Sequence, residues 1–238
     1  MRSGRPDLKE GIHFGAELPP SDPRVQAGTP LHGPNLFPAH PAELRETVRT
    51  YLAAMSSLGH TLMSGIALSL DLPETYFADH YTADPLILFR IFNYPRTPAP
   101  AGSWGVGEHT DYGLLTILKQ DDTGGLQVKS RSGWLDAPPL PGSFVCNIGD
   151  MLDRLTGGRY RSTPHRVLPS RARDRLSWPF FFDPNFDADV TPVARAALAD
   201  DRDHRWDRQS VHDFQGTYGD YLLAKIGKVF PGLREEVL

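Results

Sequence analysis

From Leu86 to Pro184 the chain is cut into short apolar runs by Gly, Pro, Asp and Ser: LILFRIFNYP, GLLTILKQ, GLQVKS, GWLDAPP, SFVCNIGD, RVLP and RLSWPFFFDP. Runs of this length and spacing are what an antiparallel sandwich or barrel requires. The 22 prolines among 238 residues argue further against an all-helical bundle, since a proline inside a helix removes a hydrogen bond and clashes with the preceding turn. Helical patterning lies on either side of the runs. Leu44, Val48, Leu52, Met55, Leu62, Ile66 and Leu70 recur near one helical face, with Pro41 suited to the first helical position and Asp71-Leu72-Pro73 to the stop. A short helix is expected around Glu74–Asp79, and Tyr218, Leu222, Leu223 and Ile226 mark a closing amphipathic helix. Residues 1–40, rich in Pro, Gly and Asp, read as irregular chain with short turns. Helix, then strands, then helix gives a mainly β chain with helical support, a double-sheet jelly roll.

No composition shift marks a boundary, so one domain over 1–238 is expected, with an irregular and helical part at 1–85 and a jelly-roll core at 86–185. The net charge of −4 and the absence of a basic block argue against nucleic acid as a partner. The single cysteine, Cys146, rules out an intramolecular disulfide and argues against a thiolate metal site; it reads as a buried strand residue. No apolar run approaches the roughly 18 residues of a membrane span, and MRSGRPDLKEGIHFG has no apolar core of a secretory signal. A cytoplasmic protein with a small-molecule substrate is the expectation; oligomeric state is not readable.

Nine histidines are present. His13, His32, His40, His60, His80, His204 and His212 lie in loops, helices or a charged stretch and read as surface or packing residues. His109 stands apart in GEHTDYG, the one His-x-Asp of the chain. On a strand, His109 and Asp111 project to the same face. A third ligand must come from elsewhere, and His165 in RYRSTPHRVLP is the candidate, since a jelly roll returns distant strands beside one another. Two imidazoles and a carboxylate leave positions open, as in non-haem Fe(II) oxygenases, although a catalytic zinc site uses the same donors. Arg175 and Ser177, again two apart, separate these readings. A guanidinium fork with a hydroxyl grips the far carboxylate of a dicarboxylic acid, and a 2-oxo acid chelates iron at its other end; a zinc hydrolase has no need of this. Tyr112, Arg90 and Phe182 are further pocket candidates, each equally readable as packing.

FRIFNYP, EHTDYGLLTIL, GGLQVKSRSGWLDAPPLPGSFVCNIGDML, GGRYRSTPHRV and RLSWPFFFDPN occur in an order that resembles the 2-oxoglutarate/Fe(II) dioxygenases of the isopenicillin N synthase-like group, over about Leu86 to Asn185. The resemblance implies a distorted double-stranded β-helix. It implies His109, Asp111 and His165 as iron ligands, Arg175 and Ser177 as the clamp on 2-oxoglutarate, and Tyr94 as a hydroxyl contact to it. It also implies a reaction coupling oxidative decarboxylation of 2-oxoglutarate by O₂ to C–H oxidation of a small organic metabolite, with ascorbate as an auxiliary reductant. Relatives of isopenicillin N synthase or ethylene-forming type dispense with 2-oxoglutarate, and a non-catalytic binding module is the alternative from another class. Phe92 stands where many relatives carry Asn, and a phenyl ring cannot donate the hydrogen bond. Relatives carry more residues ahead of a PDLKEG-like segment, which here begins at Pro6. Bracing strands lying there imply reduced stability or reliance on a partner for a chain without them.

Overall fold

The computed structural model describes residues 7–98, 102–193, 202, 205 and 208–229. In chain order these form β1 (Glu10–Gly15), α1 (Pro23–Gln26), α2 (Leu44–Ser69), α3 (Tyr76–His80), β2 (Ile87–Tyr94), β3 (Val106–His109), β4 (Leu115–Gln120), β5 (Leu126–Ser130) and β6 (Gly133–Asp136). Then follow β7 (Val145–Ile148), α4 (Asp150–Leu155), β8 (His165–Val167), β9 (Arg175–Phe182), a 3-10 turn (Val211–Asp213) and α5 (Tyr218–Val229). The strands make a five-stranded sheet ordered β1-β2-β9-β4-β7 and a four-stranded sheet ordered β3-β8-β5-β6. The chain divides into two compact units. One holds Met1–Ile12, Arg90–Pro179 and Val190–Gly216; the other holds His13–Phe89, Phe180–Asp189 and Thr217–Leu238.

The first unit carries the short apolar runs. Its core draws on both sheets: Phe92 and Tyr94 from β2, Val106 from β3, Leu126 from β5 and Val167 from β8, with Leu118 and Val145 packed against them. Each fully buried apolar side chain of this size contributes roughly 1.5–3 kcal/mol, so closing the two sheets over this cluster is the main driving force. β3 and β5 both pair antiparallel with β8, which returns from far along the chain to lie between them.

In the second unit α2 buries Val48, Leu52, Met55, Gly59, Met63 and Ala67. The expected stripe holds to Met55 and then shifts by a residue, from Leu62, Ile66 and Leu70 to Met63 and Ala67. Gly59 is the reason. A Cβ there would lie 2.5 Å from the Phe182 ring, so the ring fills the space that a side chain would occupy and rotates the buried face toward Gly59. The helix stops as expected: the amides of Leu72 and Asp71 donate to the carbonyls of Ala67 and Leu68, and Asp71 takes φ +60°. Pro41 precedes the helix by a turn closed from Leu44 N–H to Pro41 C=O and does not occupy its first position. In α5 the buried face is Tyr218, Tyr221, Leu222 and Lys225, with Leu223 and Ile226 half-buried.

Three expectations are corrected. Residues 1–40 contain the strand β1 and the helical turn α1, capped where the Asp22 carboxylate accepts from the Arg24 amide. NIGDMLDRL does not simply end a strand but turns into α4, every residue of which is buried. Cys146 is exposed, lying on β7 at the edge of the five-stranded sheet, where its cross-strand partner Ile117 one strand further in is buried. His204 lies outside the described residues.

Candidate metal and 2-oxo-acid site

β3 and β8 place His109 and His165 as direct cross-strand partners. Their ring centroids are 4.2 Å apart. Each ring is oriented by its own backbone: Nδ1 of His109 lies 2.8 Å from the Gly107 carbonyl and Nδ1 of His165 lies 3.1 Å from the Thr163 carbonyl. A carbonyl only accepts, so both Nδ1 atoms carry the proton and both Nε2 lone pairs are left for a metal.

Asp111 does not share the strand. β3 ends at His109, and Asp111 lies in the turn beyond it. The turn is fixed from behind, where the amides of Asp150 and Met151 at the start of α4 donate to the carbonyls of Asp111 and Gly113. The approach needs Gly149, since a Cβ there would come within 2.3 Å of the Gly113 oxygen. The carboxylate itself is set by Thr116, whose hydroxyl donates to Oδ2 at 2.6 Å, and by Asn147, whose amide donates to it at 2.8 Å. His109 Nε2 then stands 3.8 Å from Oδ1 and His165 Nε2 3.7 Å from Oδ2.

The three ligand atoms lie within 4.8 Å of one another. The side chains are 24%, 8% and 12% exposed for His109, Asp111 and His165, so the cluster is sheltered but open on the His109 side. Burial, with His165 close by, pushes His109 down to about 3. Burial alone raises the Asp111 carboxyl, but the two imidazoles, Thr116 and Asn147 outweigh it and hold Asp111 below its ordinary value. Two neutral imidazoles and an ionised carboxylate are the donors a divalent cation takes, and this set can hold one.

Arg175 and Ser177 fall on one face of β9, 1% and 2% exposed, while Leu176 between them points outward. The guanidinium donates from Nε to the Gly124 carbonyl and from Nη2 to Gln120 Oε1 at 3.0 Å, and Nη1 is buried without a hydrogen-bond partner. No carboxylate of the described residues pairs with it. Tyr94 closes the group: its ring lies 4.8 Å from the Arg175 Cζ and its hydroxyl 3.5 Å from Ser177 Oγ. Burial pushes the Tyr94 phenol up, against the pull of Arg175, so it remains a proton donor. β4 joins the two halves of the site. Thr116, which holds Asp111, and Gln120, which holds Arg175, are four residues apart on one face of that strand, about 13 Å along it. A dry guanidinium with an unmet donor fits the carboxylate of a 2-oxo diacid.

His109, Asp111, His165, Arg175, Ser177 and Tyr94 all lie in the first unit, as do the pocket candidates Arg90 and Tyr112, whereas Phe182 lies in the second. Those missed are the residues that hold them: Thr116, Asn147 and Gln120. Asn147 is the one polar residue of the strand VCNI, the one signal available; Gln120 follows Lys119 at the polar end of β4 and carries none. Next to His165, Arg166 lies between Trp104 and Trp134, its Cζ 4.5 and 3.9 Å from the two rings, and its Nε donates to Gln127.

The 2OG-Fe(II) oxygenase superfamily model matches residues 83–184. A probable iron/ascorbate oxidoreductase of Dictyostelium discoideum is 52% identical over all of this chain and 73% of its own length. A 1-aminocyclopropane-1-carboxylate oxidase of Dictyostelium mucoroides is 39% identical over 96% of this chain and 72% of its own. Among solved structures, a full-length Neurospora crassa protein in complex with alpha-KG and thymine superposes with a TM-score of 0.77 at 28% identity, over 96% of this chain and 67% of that one. The antiparallel sheets are thus those of a double-stranded β-helix, and the chain belongs to the 2OG-Fe(II) oxygenase superfamily, a non-haem iron dioxygenase with Fe(II) and 2-oxoglutarate as its cofactors.

Proposed function

We propose that this chain couples the oxidative decarboxylation of 2-oxoglutarate to oxidation of a C–H bond in a small organic molecule, with His109, Asp111 and His165 holding the iron. One O₂, one 2-oxoglutarate and one substrate R–H give succinate, CO₂ and R–OH. The bound ferrous ion supplies O₂ activation. The protein supplies position and environment. Gly107 and Thr163 fix the imidazole tautomers, while Thr116 and Asn147 leave Asp111 Oδ1 turned toward His109. Arg175 grips the distal carboxylate of 2-oxoglutarate through Nη1, with the Ser177 and Tyr94 hydroxyls alongside. These groups are almost fully buried, which excludes water and strengthens the charge-assisted hydrogen bonds.

The observation that carries the reading is the buried, unpaired Nη1 of Arg175. A guanidinium left without an anion in the interior is costly, and a dicarboxylic co-substrate removes the cost. The test is Fe(II)-dependent succinate formation. Arg175→Met is expected to raise KM for 2-oxoglutarate by about 30-fold or more, the equivalent of losing a buried charge pair. Fe(II)-dependent substrate oxidation with ascorbate and no succinate favours the second reading, an oxidase of the kind named in the 1-aminocyclopropane-1-carboxylate oxidase relative.

A further inference from the structure

A cavity of about 870 Å³ opens at one end of the four-stranded sheet. His109 and Val128 both pair with His165, and the residues adjoining that row, Thr110, Lys129 and Pro164, line the cavity. A space of this size takes an organic molecule rather than a bare ion. It is not the 2-oxoglutarate clamp. Arg175 meets the chain at Gly124, just ahead of β5, whereas the cavity touches Lys129, Ser130 and Arg131 at the far end, about 13 Å along the strand.

The chain that follows α4 supplies a second wall. The helix ends at Gly157 and Gly158, whose amides donate to the carbonyls of Arg154 and Asp153. The next turn is pinned twice: the Tyr160 amide donates to Thr156 Oγ1 at 3.1 Å and the Ser162 amide to Asp153 Oδ2 at 2.9 Å. Arg159 and Arg161 alternate with these anchors and line the cavity, as Arg131 does from the β5–β6 hairpin. All three arginines are exposed, and no carboxylate among the described residues pairs with them. The remaining charges of the lining are matched: Lys129 pairs with Glu108, and Arg205 with Asp150 and Asp153. Three cations on one concave surface attract an anion.

Two buried polar atoms of the lining are also unmet. Thr110 is 4% exposed, and its hydroxyl has no hydrogen-bond partner among the described residues. The His212 side chain is 7% exposed; its Nε2 lies 3.3 Å from Asp153 Oδ1, and its Nδ1 has no hydrogen-bond partner among the described residues. Burial without a partner is costly for each, and a polar ligand filling the space removes the cost.

We infer that this cavity is a second anion site, which binds an organic phosphate or carboxylate through Arg131, Arg159 and Arg161, with the Thr110 hydroxyl and His212 Nδ1 as its inner polar contacts. Guanidinium forks match either oxyanion. The site goes beyond the iron and 2-oxoglutarate reading and draws on none of the residues of the clamp.

The experiment is calorimetric titration of the Fe(II)-loaded enzyme without O₂, with 2-oxoglutarate saturating so that the clamp is filled. The probes are glycerol 3-phosphate, 3-hydroxybutyrate and, as the uncharged comparator, glycerol. At least one anion is expected to bind about tenfold or more tighter than glycerol, and the tighter of the two names the group the site prefers. Arg159→Gln and Arg161→Gln are each expected to weaken that anion about tenfold. Thr110→Val is expected to weaken it about threefold, the usual effect of one neutral hydrogen bond. Arg159→Lys and Arg161→Lys are expected to keep most of the affinity, which a purely structural role would not predict. Arg131→Gln stands in should a loop variant misfold. Neither anion exceeding glycerol, or an affinity unchanged in the glutamine variants, overturns the inference. So does binding that appears only when 2-oxoglutarate is left out, since that places the anion in the clamp.

Discussion

His165 faces His109 directly across the β3–β8 pair, so two residues far apart in the chain become neighbours through backbone hydrogen bonds alone. A ferrous ion bound there joins both strands to the Asp111 turn. Saturating metal, at about 100 times its Kd, is expected to stabilise the fold by about 2.7 kcal/mol. For a chain of this size that is a rise in Tm of about 5–10 °C. Calorimetry with Fe(II) under anaerobic conditions checks this, and His165→Ala should lose the rise.

The metal-free protein should lose stability as acid is added. In the unfolded chain an imidazole takes its proton near pH 6.5, whereas folded His109 is held down to about 3. Between those values the unfolded state binds more protons, so stability falls as pH drops from 6.5 toward 3 and is regained as it rises. Denaturant midpoints from pH 7 to pH 4 measure this, and a flat profile contradicts it. His109→Gln should remove part of the slope.

Removing the hydrogen bonds to Asp111 tests how far its orientation matters. Asn147→Ala and Thr116→Val each free one lone pair of Oδ2. Iron affinity is expected to fall about 10–100-fold for each, the usual effect of losing a partner of a metal ligand. Anaerobic iron titration reads it, with the far-UV spectrum as a control for folding.

Gly59→Ala sets two effects against each other. Alanine is the better helix former by about 1 kcal/mol. Its Cβ, however, would sit 2.5 Å from the fully buried Phe182 ring, and overpacking of that kind costs about 1–3 kcal/mol. The variant should therefore be less stable by up to about 2 kcal/mol in denaturant melts, with iron affinity unaltered.

What the sequence reveals depends on how local the cause is. The shared face of Arg175 and Ser177 is legible because they sit two apart on a regular strand, where alternation alone decides their direction. His109 and Asp111 converge for another reason than spacing. The strand stops at His109, and the aspartate is brought round by amides from α4, a contact between residues nearly forty positions apart. α4 is hidden because DMLDRL looks like solvated surface. Its Asp150 and Asp153 are instead paired with Arg205, and its Arg154 donates to the carbonyls of Val190, Val211 and His212. Cys146 misleads for a related reason: an apolar run announces a strand but not whether that strand lies at an edge.

The guanidinium of Arg166, held between two indoles one step along the backbone from the proposed ligand His165, gives the candidate centre an optical reporter of its own. Open-shell ions quench indole emission at short range, whereas closed-shell zinc does not. Loading of ferrous ion can thus be followed through native fluorescence, without a dye and without turnover.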